Sequence, residues 1–266
     1  MPLAICATPI GNLDDITLRV LDELRAADLV LAEDTRHTRV LLERHGVEAR
    51  LLSYHEHNEA ARTAELLPRL VAGERVALVS DAGLPGISDP GIRLIRAARQ
   101  AGVEVTVLPG PSAVETALVA SGLAESRYAF VGFLPRREAE RAALWRELAA
   151  SSWPTVAFES PKRLPGALRS LAAADPSRIV AVCRELTKRF EEVVSGPAAE
   201  LAERFAEPPK GEITLVIDAG RGERDPQAAR AAVAELVAAG TPRRVAADVV
   251  SRLTDMSRND LYRSTL

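Results

Sequence analysis

The chain has 266 residues, nearly half hydrophobic and about a quarter charged, with a formal net charge of −3. That length leaves room for about two domains, and the balance is that of an ordinary soluble globular protein. It excludes a disordered chain and any global pull toward nucleic acid, so an RNA or DNA site has to be a local patch. No apolar run approaches the roughly 18 residues of a membrane span. The start, MPLAICATPIGN, has no basic-then-apolar leader, so the cytoplasm is the expected compartment. Cys6 and Cys183 fall in separate predicted strands and read as small core filler in a reducing environment. Among the 34 basic residues only Lys162, Lys188 and Lys210 are lysines. Arginine and alanine abound as a coding bias, so these three, each in a loop-like motif, stand out.

Leu3 to Ala7 reads as a strand ending at Thr8-Pro9-Ile10-Gly11-Asn12, after which Asp14 or Asp15 is the expected cap of a helix. A second strand, Leu29 to Ala32, runs into Glu33-Asp34-Thr35-Arg36-His37, and helix signals follow to Gly46. Arg50 to Ser53 is a third strand, and a helix from about Asn58 to Ala72 stops at Gly73. The most informative stretch is VALVSDAGLPGISDPG, residues 76–91. Its buried strand passes into a loop of glycines and prolines, and Asp89-Pro90 is the expected start of a helix over Ile92 to Gln100. Val103 to Leu108 is a further strand, halted by Pro109-Gly110-Pro111, and Ser112 caps a short helix reaching Gly122. Strand and helix alternate throughout, which predicts a mostly parallel sheet.

The second half changes style. Strands are predicted at Ala129–Phe133, Thr155–Phe158, Ile179–Cys183, Glu191–Ser195 and Ile213–Ile217. Helices are predicted at Arg137–Ala150 and, with Ser160 as cap, Pro161–Ala174. Two strands separated only by the Arg184–Phe190 turn predict a hairpin and hence a mixed sheet. The expected domains are 1–115 and 116–220, both α/β, followed by a helical appendage over 221–266. Within that tail GRGERDPQ reads as a polar loop, and Asp225-Pro226, Thr241-Pro242 and Ser257-x-x-Asp260 as helix starts. The last two helices, joined at Thr254–Met256, have the look of a helix-turn-helix. Arg243, Arg244, Arg252, Arg258 and Arg263 outnumber Asp248, Asp255 and Asp260 there, leaving either a modest nucleic-acid contact or a packing element open.

Several standard pockets are excluded. There is no G-x-G-x-x-G after the first strand, no G-x-x-x-x-G-K-[ST], and no zinc spacing. His55-Glu56-His57 reads as surface or hydrogen-bonding residues, so no metal is expected. What remains is a set of strand-end loops: Thr8–Asn12, Glu33–His37, Ser80–Asp89, Pro109–Ala113, Glu159–Arg163, Arg184–Arg189 and Pro209–Glu212. In an α/β sheet such ends converge on one crevice. Carboxylates and cations mixed at one rim suit a polar, phosphate-bearing substrate or structural ion pairs.

These loops carry the motifs ATPIGNLDDIT, AEDTRHT, SDAGLPGISDPG, PGPSA, ESPKR, RELTK and KGE, in that order. Together they resemble the tetrapyrrole methylase superfamily from the first strand to about residue 220, and the tail is also similar. Leu84 and Lys162 stand where relatives vary. The resemblance implies a two-domain α/β enzyme, a homodimer, with S-adenosylmethionine in the cleft between domains. It is strongest to members that methylate the ribose 2′-hydroxyl of a decoding-centre cytidine (position 1402) of 16S rRNA, making the small ribosomal subunit the implied partner. Carried over by motif, Pro9, Asp81, Ala82, Gly83, Pro85, Ile87, Pro111, Ser112 and Ala113 are the implied cofactor residues. Glu159, Arg184, Glu212 and Ile213 are implied to close the pocket from the second domain.

Transfer to a ribose hydroxyl needs in-line placement and removal of one proton. Because the sulfonium charge disappears in the transfer, backbone carbonyls suit the sulfur better than a carboxylate held tightly against it. Glu33, Asp34, Arg36 and His37 are the expected nucleotide-handling residues, with Asp89 or Glu159 as other base candidates. Arg36, Arg39, Lys162, Arg163, Lys188, Arg189 and Lys210 are the expected phosphate contacts. Aromatics are too few for base stacking to be the main grip. Tetrapyrrole methylation, methylation of a diphthine-type protein residue, and a non-catalytic ribosome-assembly role are the alternatives.

Overall fold

The computed structural model describes residues 2–219, 226–254 and 256–263. The first domain alternates β1 (Leu3–Cys6), α1 (Leu18–Ala26), β2 (Leu29–Ala32), α2 (Thr35–Arg44), β3 (Leu51–Ser53), α3 (Glu59–Val71), β4 (Val76–Val79), α4 (Ile92–Gln100) and β5 (Val105–Leu108). Its sheet has the order β3-β2-β4-β1-β5, with every pairing parallel. Helices cover both faces, so β1, β2 and β4 are buried at every residue and read as unbroken apolar runs. Val20, Leu24, Leu41 and Leu42 of α1 and α2 pack on one face, and Leu66, Leu70 and Leu94 of α3 and α4 on the other. The chain therefore leaves adjacent β1 and β4 toward opposite faces. Their carboxyl ends form a topological switch point, where open α/β sheets hold ligands.

After α5 (Ala113–Ala120) the second domain follows: β6 (Ala129–Phe133), α6 (Glu138–Ala149), β7 (Thr155–Glu159), α7 (Leu164–Ala174), β8 (Ile179–Arg184), β9 (Glu192–Pro197), α8 (Ala198–Arg204) and β10 (Ile213–Ile217). Its sheet order is β6-β7-β10-β8-β9. Only β6–β7 is parallel, so the sheet is mixed, and β8–β9 is the expected hairpin. Trp145, Leu168 and Leu201 of α6, α7 and α8 cover one face. The other face packs on Val114, Ala117 and Leu118 of α5 and on Ile10 of the first domain. Residues 115 and 116 both lie within α5, which packs on the second sheet alongside Ile10 of the loop after β1. Helices α9 (Pro226–Ala238), α10 (Arg243–Thr254) and α11 (Arg258–Arg263) share a small core of Ala229, Val233, Ala246, Val250 and Leu261.

Several helix starts differ from the sequence reading. Asp14 and Asp15 belong to a 3₁₀ turn capped by Asn12, and Thr17 Oγ1 caps α1 by accepting from Val20 N at 3.2 Å. Helix α7 begins at Leu164, not Pro161, because residues 160–163 form a separate turn closed by Arg163 N donating to Ser160 O at 3.0 Å. Ser112 stands at the N-cap of α5, but its hydroxyl goes to Glu115 instead of a backbone amide. The polar loop 220–225, the Asp225 cap and Asp255 lie outside the described residues. The Asp260 amide donates to Ser257 Oγ, one arm of the expected capping box.

Asp89 does not cap α4. Gly91 takes that place with φ of 142°, a conformation that disfavours any side chain. Its N–H donates at 3.0 Å to Glu59 Oε1, which also accepts from Tyr54. A Cβ on Gly91 would lie 2.9 Å from Leu78 Cδ2 in the core. Gly91→Ala is expected to cost about 2–4 kcal/mol, from backbone strain plus overpacking, read as a lower urea midpoint with an unchanged slope.

Candidate active site

All seven strand-end loops reach one cleft of about 480 Å³ between the domains. Ile10, Glu33, the 81–89 segment and Ser112–Val114 line it from the first domain. Phe133, Phe158–Pro161, Cys183, Leu186 and Glu212–Thr214 line it from the second. In the second sheet β10 is antiparallel to β7 and β8, and Ile213 sits opposite both Glu159 and Arg184. The amino end of β10 therefore joins the carboxyl ends of its neighbours, which brings Glu212 and Ile213 to the site.

Two backbone contacts shape the cleft. Thr8 and Gly83 exchange N–H···O bonds of 2.8 and 3.1 Å, stitching the loop after β1 to the loop after β4. Gly83 has φ of 75°, and Ser80 O accepts from Thr8 Oγ1 at 3.0 Å. Across the domains, Gly11 abuts the hairpin loop between β8 and β9. A Cβ there would lie 2.5 Å from Lys188 Cγ and 2.8 Å from Leu186 O. Beside it Asn12 N donates to Thr187 Oγ1 at 3.0 Å.

Glu33, Asp81 and Asp89 converge on one side of the cleft. Burial, then the charges of Glu33 and Asp81, push the Asp89 carboxyl up to about 7. Burial and Asp81 likewise raise Glu33. Asp81 Oδ1 accepts from Asp34 N at 3.1 Å, which ties the loop after β2 to the loop after β4. Opposite them, the Glu159 side chain is fully buried and ion-paired with Arg163, and it accepts from Ser160 N at 2.6 Å. Its Oε2 has no hydrogen-bond partner among the described residues, and burial raises its pKa despite those contacts.

The remaining expected residues are placed as follows. Pro9 and His37 line a smaller cavity of about 100 Å³ next to the cleft. Pro85 is buried under its loop, and the Pro111 carbonyl lies near Gly83. The loop expected at Glu33–His37 is a helix start, with Asp34 as N-cap of α2, accepting from Arg36 N at 2.8 Å. Arg36 pairs with Asp34 at 2.8 Å yet keeps a side chain 89% exposed, and hydrogen bonds from its side chain and backbone hold the Asp34 carboxyl far below the usual range. Arg184 does not line the cleft. It pairs with Glu192 at 3.0 Å and donates to Lys210 O. Lys188 is held by Glu185 at 3.0 Å and Glu212 at 2.9 Å, and Arg163 by Glu159 and the Leu134 carbonyl, so both are occupied internally. Arg39, Lys162, Arg189 and Lys210 are exposed. Phe133, Phe158, Leu186 and Ser88 line the cleft and were not singled out by the sequence. Ser88 has φ of 64°, a feature invisible in a serine codon.

His55 Nε2 lies 3.1 Å from Asn58 Nδ2, and no group of three metal-ligating side chains occurs among the described residues. No described helix is long and apolar enough to cross a membrane. Both cysteines are free and buried, their thiols pushed up to about 12 by burial.

The raised carboxyl has a consequence for stability. Between its ordinary value of 3.8 and about 7, folded Asp89 holds a proton that the unfolded chain has lost. Stability therefore falls as pH rises through that window. Asp89→Asn is expected to be more stable than the wild type above pH 7, by about 1–2 kcal/mol after solvent screening. Near pH 3 the urea midpoints of the two should coincide.

A family model for tetrapyrrole (corrin/porphyrin) methylases matches residues 2–202. The chain is 42% identical to ribosomal RNA small subunit methyltransferase I of Mesorhizobium japonicum, over 99% of this chain and 91% of that one. It is 40% identical to the protein of that name from Escherichia coli O157:H7, over 99% and 94%. The one from Thermotoga maritima is 45% identical over 81% of this chain and 97% of its own. Among solved structures, uroporphyrin-III-C-methyltransferase from Thermus thermophilus superposes with a TM-score of 0.57 at 22% identity, over 81% and 93% of the two chains. Diphthine synthase superposes at 0.60 and 17%, over 81% and 89%. At those identities the structures speak to the fold alone. The chain belongs to the tetrapyrrole (corrin/porphyrin) methylase family and, within it, groups with the members named ribosomal RNA small subunit methyltransferase I.

Proposed function

We propose that the chain is an S-adenosylmethionine-dependent methyltransferase of the small-subunit ribosomal RNA. Its target in this reading is the ribose 2′-hydroxyl of a decoding-centre cytidine, position 1402 of 16S rRNA. The cytoplasm and a homodimer belong to the same proposal. The observation that carries it is the interdomain cleft, with Glu33, Asp81 and Asp89 along one side. Its volume lies in the range of small-molecule sites. Three carboxylates in one hollow repel each other, and a cationic ligand relieves that repulsion.

S-adenosylmethionine, when bound, supplies a methyl group already activated by its sulfonium. Ala82, Gly83 and Ala113 leave room for close backbone approach, and Ile87, Leu186 and Ile213 offer apolar walls. The unpartnered Glu159 Oε2 is an acceptor for a hydroxyl or amine. Placing the ribose oxygen in line with the methyl is worth up to about 7–11 kcal/mol. The residue best suited to take the proton from O2′ is Asp89, at the cleft wall and titrating near 7. Burial, with the charges of Glu33 and Asp81, keeps it there. Asp34 and Arg36, paired to each other at the start of α2, then serve to position the nucleotide.

The test supplies methyl-labelled cofactor with small subunits lacking the modification. Label is expected in RNA, recovered as 2′-O-methylcytidine after nuclease digestion. Label only in protein or in an added tetrapyrrole, or none at all, would point to the alternatives. Asp89→Asn is expected to slow transfer about 10²–10⁴-fold and to remove a rising limb near pH 7 from kcat/KM. An unaltered pH profile in that variant would reject Asp89 as the base. Light scattering reads the dimer directly.

A further inference from the structure

The small cavity beside the cleft shares Ile10, Asp81, Ala82 and Glu212 with it. On its other side it shares Gly11, Leu13 and Lys188 with an open surface groove. The three hollows therefore adjoin one another in sequence, with the loop after β1 and the β8–β9 loop in their walls.

The chemistry changes from one hollow to the next. The cleft is acidic, whereas the outer groove presents Arg44 and Arg189, with Asp14 as its one lining carboxylate. Arg44 gives Nε and Nη2 to Asp14 at 3.1 and 2.9 Å, leaving Nη1 to point elsewhere. Arg189 makes no ion pair among the described residues, and its guanidinium lies 5.5 Å over the Phe190 ring. Phe190 is 64% exposed, in a chain with only five phenylalanines. An aromatic side chain so exposed contributes little to the core, and its open face is a flat stacking surface.

The loop that carries this pair is held firmly. Glu185 and Thr187 have φ of 52° and 64°, outside the usual range for such residues. Lys188 Nζ bonds Glu185 and Glu212, and Glu191 N donates to Lys188 O at 3.1 Å. Lys188 therefore sets position and leaves the groove's charge to the arginines. A loop strained and braced in this way presents a preorganised surface.

We infer that this groove carries single-stranded RNA adjoining the methylated nucleotide, with a phosphate between Arg189 and Arg44 and a base stacked on Phe190. The inference rests on the reading of the chain as an RNA methyltransferase. An acidic peptide would satisfy the arginines but offers nothing for the ring. Stacking on one aromatic and neutralisation of one phosphate leave different signatures, so the two contacts separate experimentally.

Binding of a fluorescent single-stranded RNA, and of small ribosomal subunits, is measured on the full chain at several salt concentrations. Phe190→Ala is expected to weaken RNA binding about 5–150-fold without altering its salt dependence, and Phe190→Trp to restore it. Arg189→Ala is expected to weaken binding and to reduce the slope of log K against log salt by about 0.7, with Arg189→Lys keeping the slope. Cofactor affinity by calorimetry should match the wild type in all four, and circular dichroism reads their folding. Unchanged RNA affinity and slope in the alanine variants, while the wild type methylates subunits, would overturn the groove and leave the methyltransferase reading intact. A wild type that neither binds RNA nor methylates subunits would overturn both. Arg189-dependent binding of poly-glutamate without RNA binding would overturn the groove as an RNA site.

Discussion

The contact of Gly11 with the backbone of the β8–β9 loop sets the geometry on which the site depends. Two separately covered sheets have no intrinsic reason to aim their strand ends at one hollow. Here the loop after β1 comes so close to Leu186 O and Thr187 Oγ1 that only a glycine leaves room. Behind it α5 packs Val114, Ala117 and Leu118 on the second sheet, with Ile10 and Leu186 in the same cluster. Apolar burial holds the domains together, and the glycine fixes how near the two loops come.

Electrostatics then separates the inside of the site from its approach. Carboxylates gather where burial is substantial, and burial raises Asp89, Glu33 and Glu159 alike. Such a cluster destabilises the fold at neutral pH, as expected where function and stability conflict. The cations lie on the outside, and several have partners already. Arg163 and Lys188 brace carboxylates of the cleft wall, while Arg36 and Arg189 keep their charge near the surface. Residue type alone does not distinguish a bracing cation from an open one.

That distinction marks how far the sequence could be read. The strands were legible because β1, β2 and β4 are buried on both faces and leave unbroken apolar runs. The hairpin of β8 and β9 followed from its short connection, and convergence of the four first-sheet loops from its parallel topology. Helix starts were less legible. Asp89, Ser160 and Asp14 are good capping residues by type, yet each is used elsewhere. Asp89 faces the cleft, Ser160 closes a separate turn, and Asp14 pairs with Arg44. A capping residue is chosen by where its side chain is needed, which is a tertiary matter. Phe133, Phe158 and Leu186 were missed for a similar reason, since apolar residues at strand ends look the same whether they fill a core or face a ligand.

The β8–β9 loop joins these themes. Leu186 lines the cleft, Thr187 and Lys188 meet the first domain, Arg189 lines the outer groove and Phe190 is exposed next to it in the chain, all within five consecutive residues. Its left-handed residues cost conformational energy that the Glu185–Lys188–Glu212 network offsets. Because the loop is braced from both domains, a shift at its tip would disturb the cleft wall about Leu186 and the contact at Gly11 together. A flexible loop could contact a strand of RNA equally well, but it would not keep that strand in register with a hollow three residues away. Rigidity is therefore what lets one short turn serve the interior pocket and the exterior groove at once.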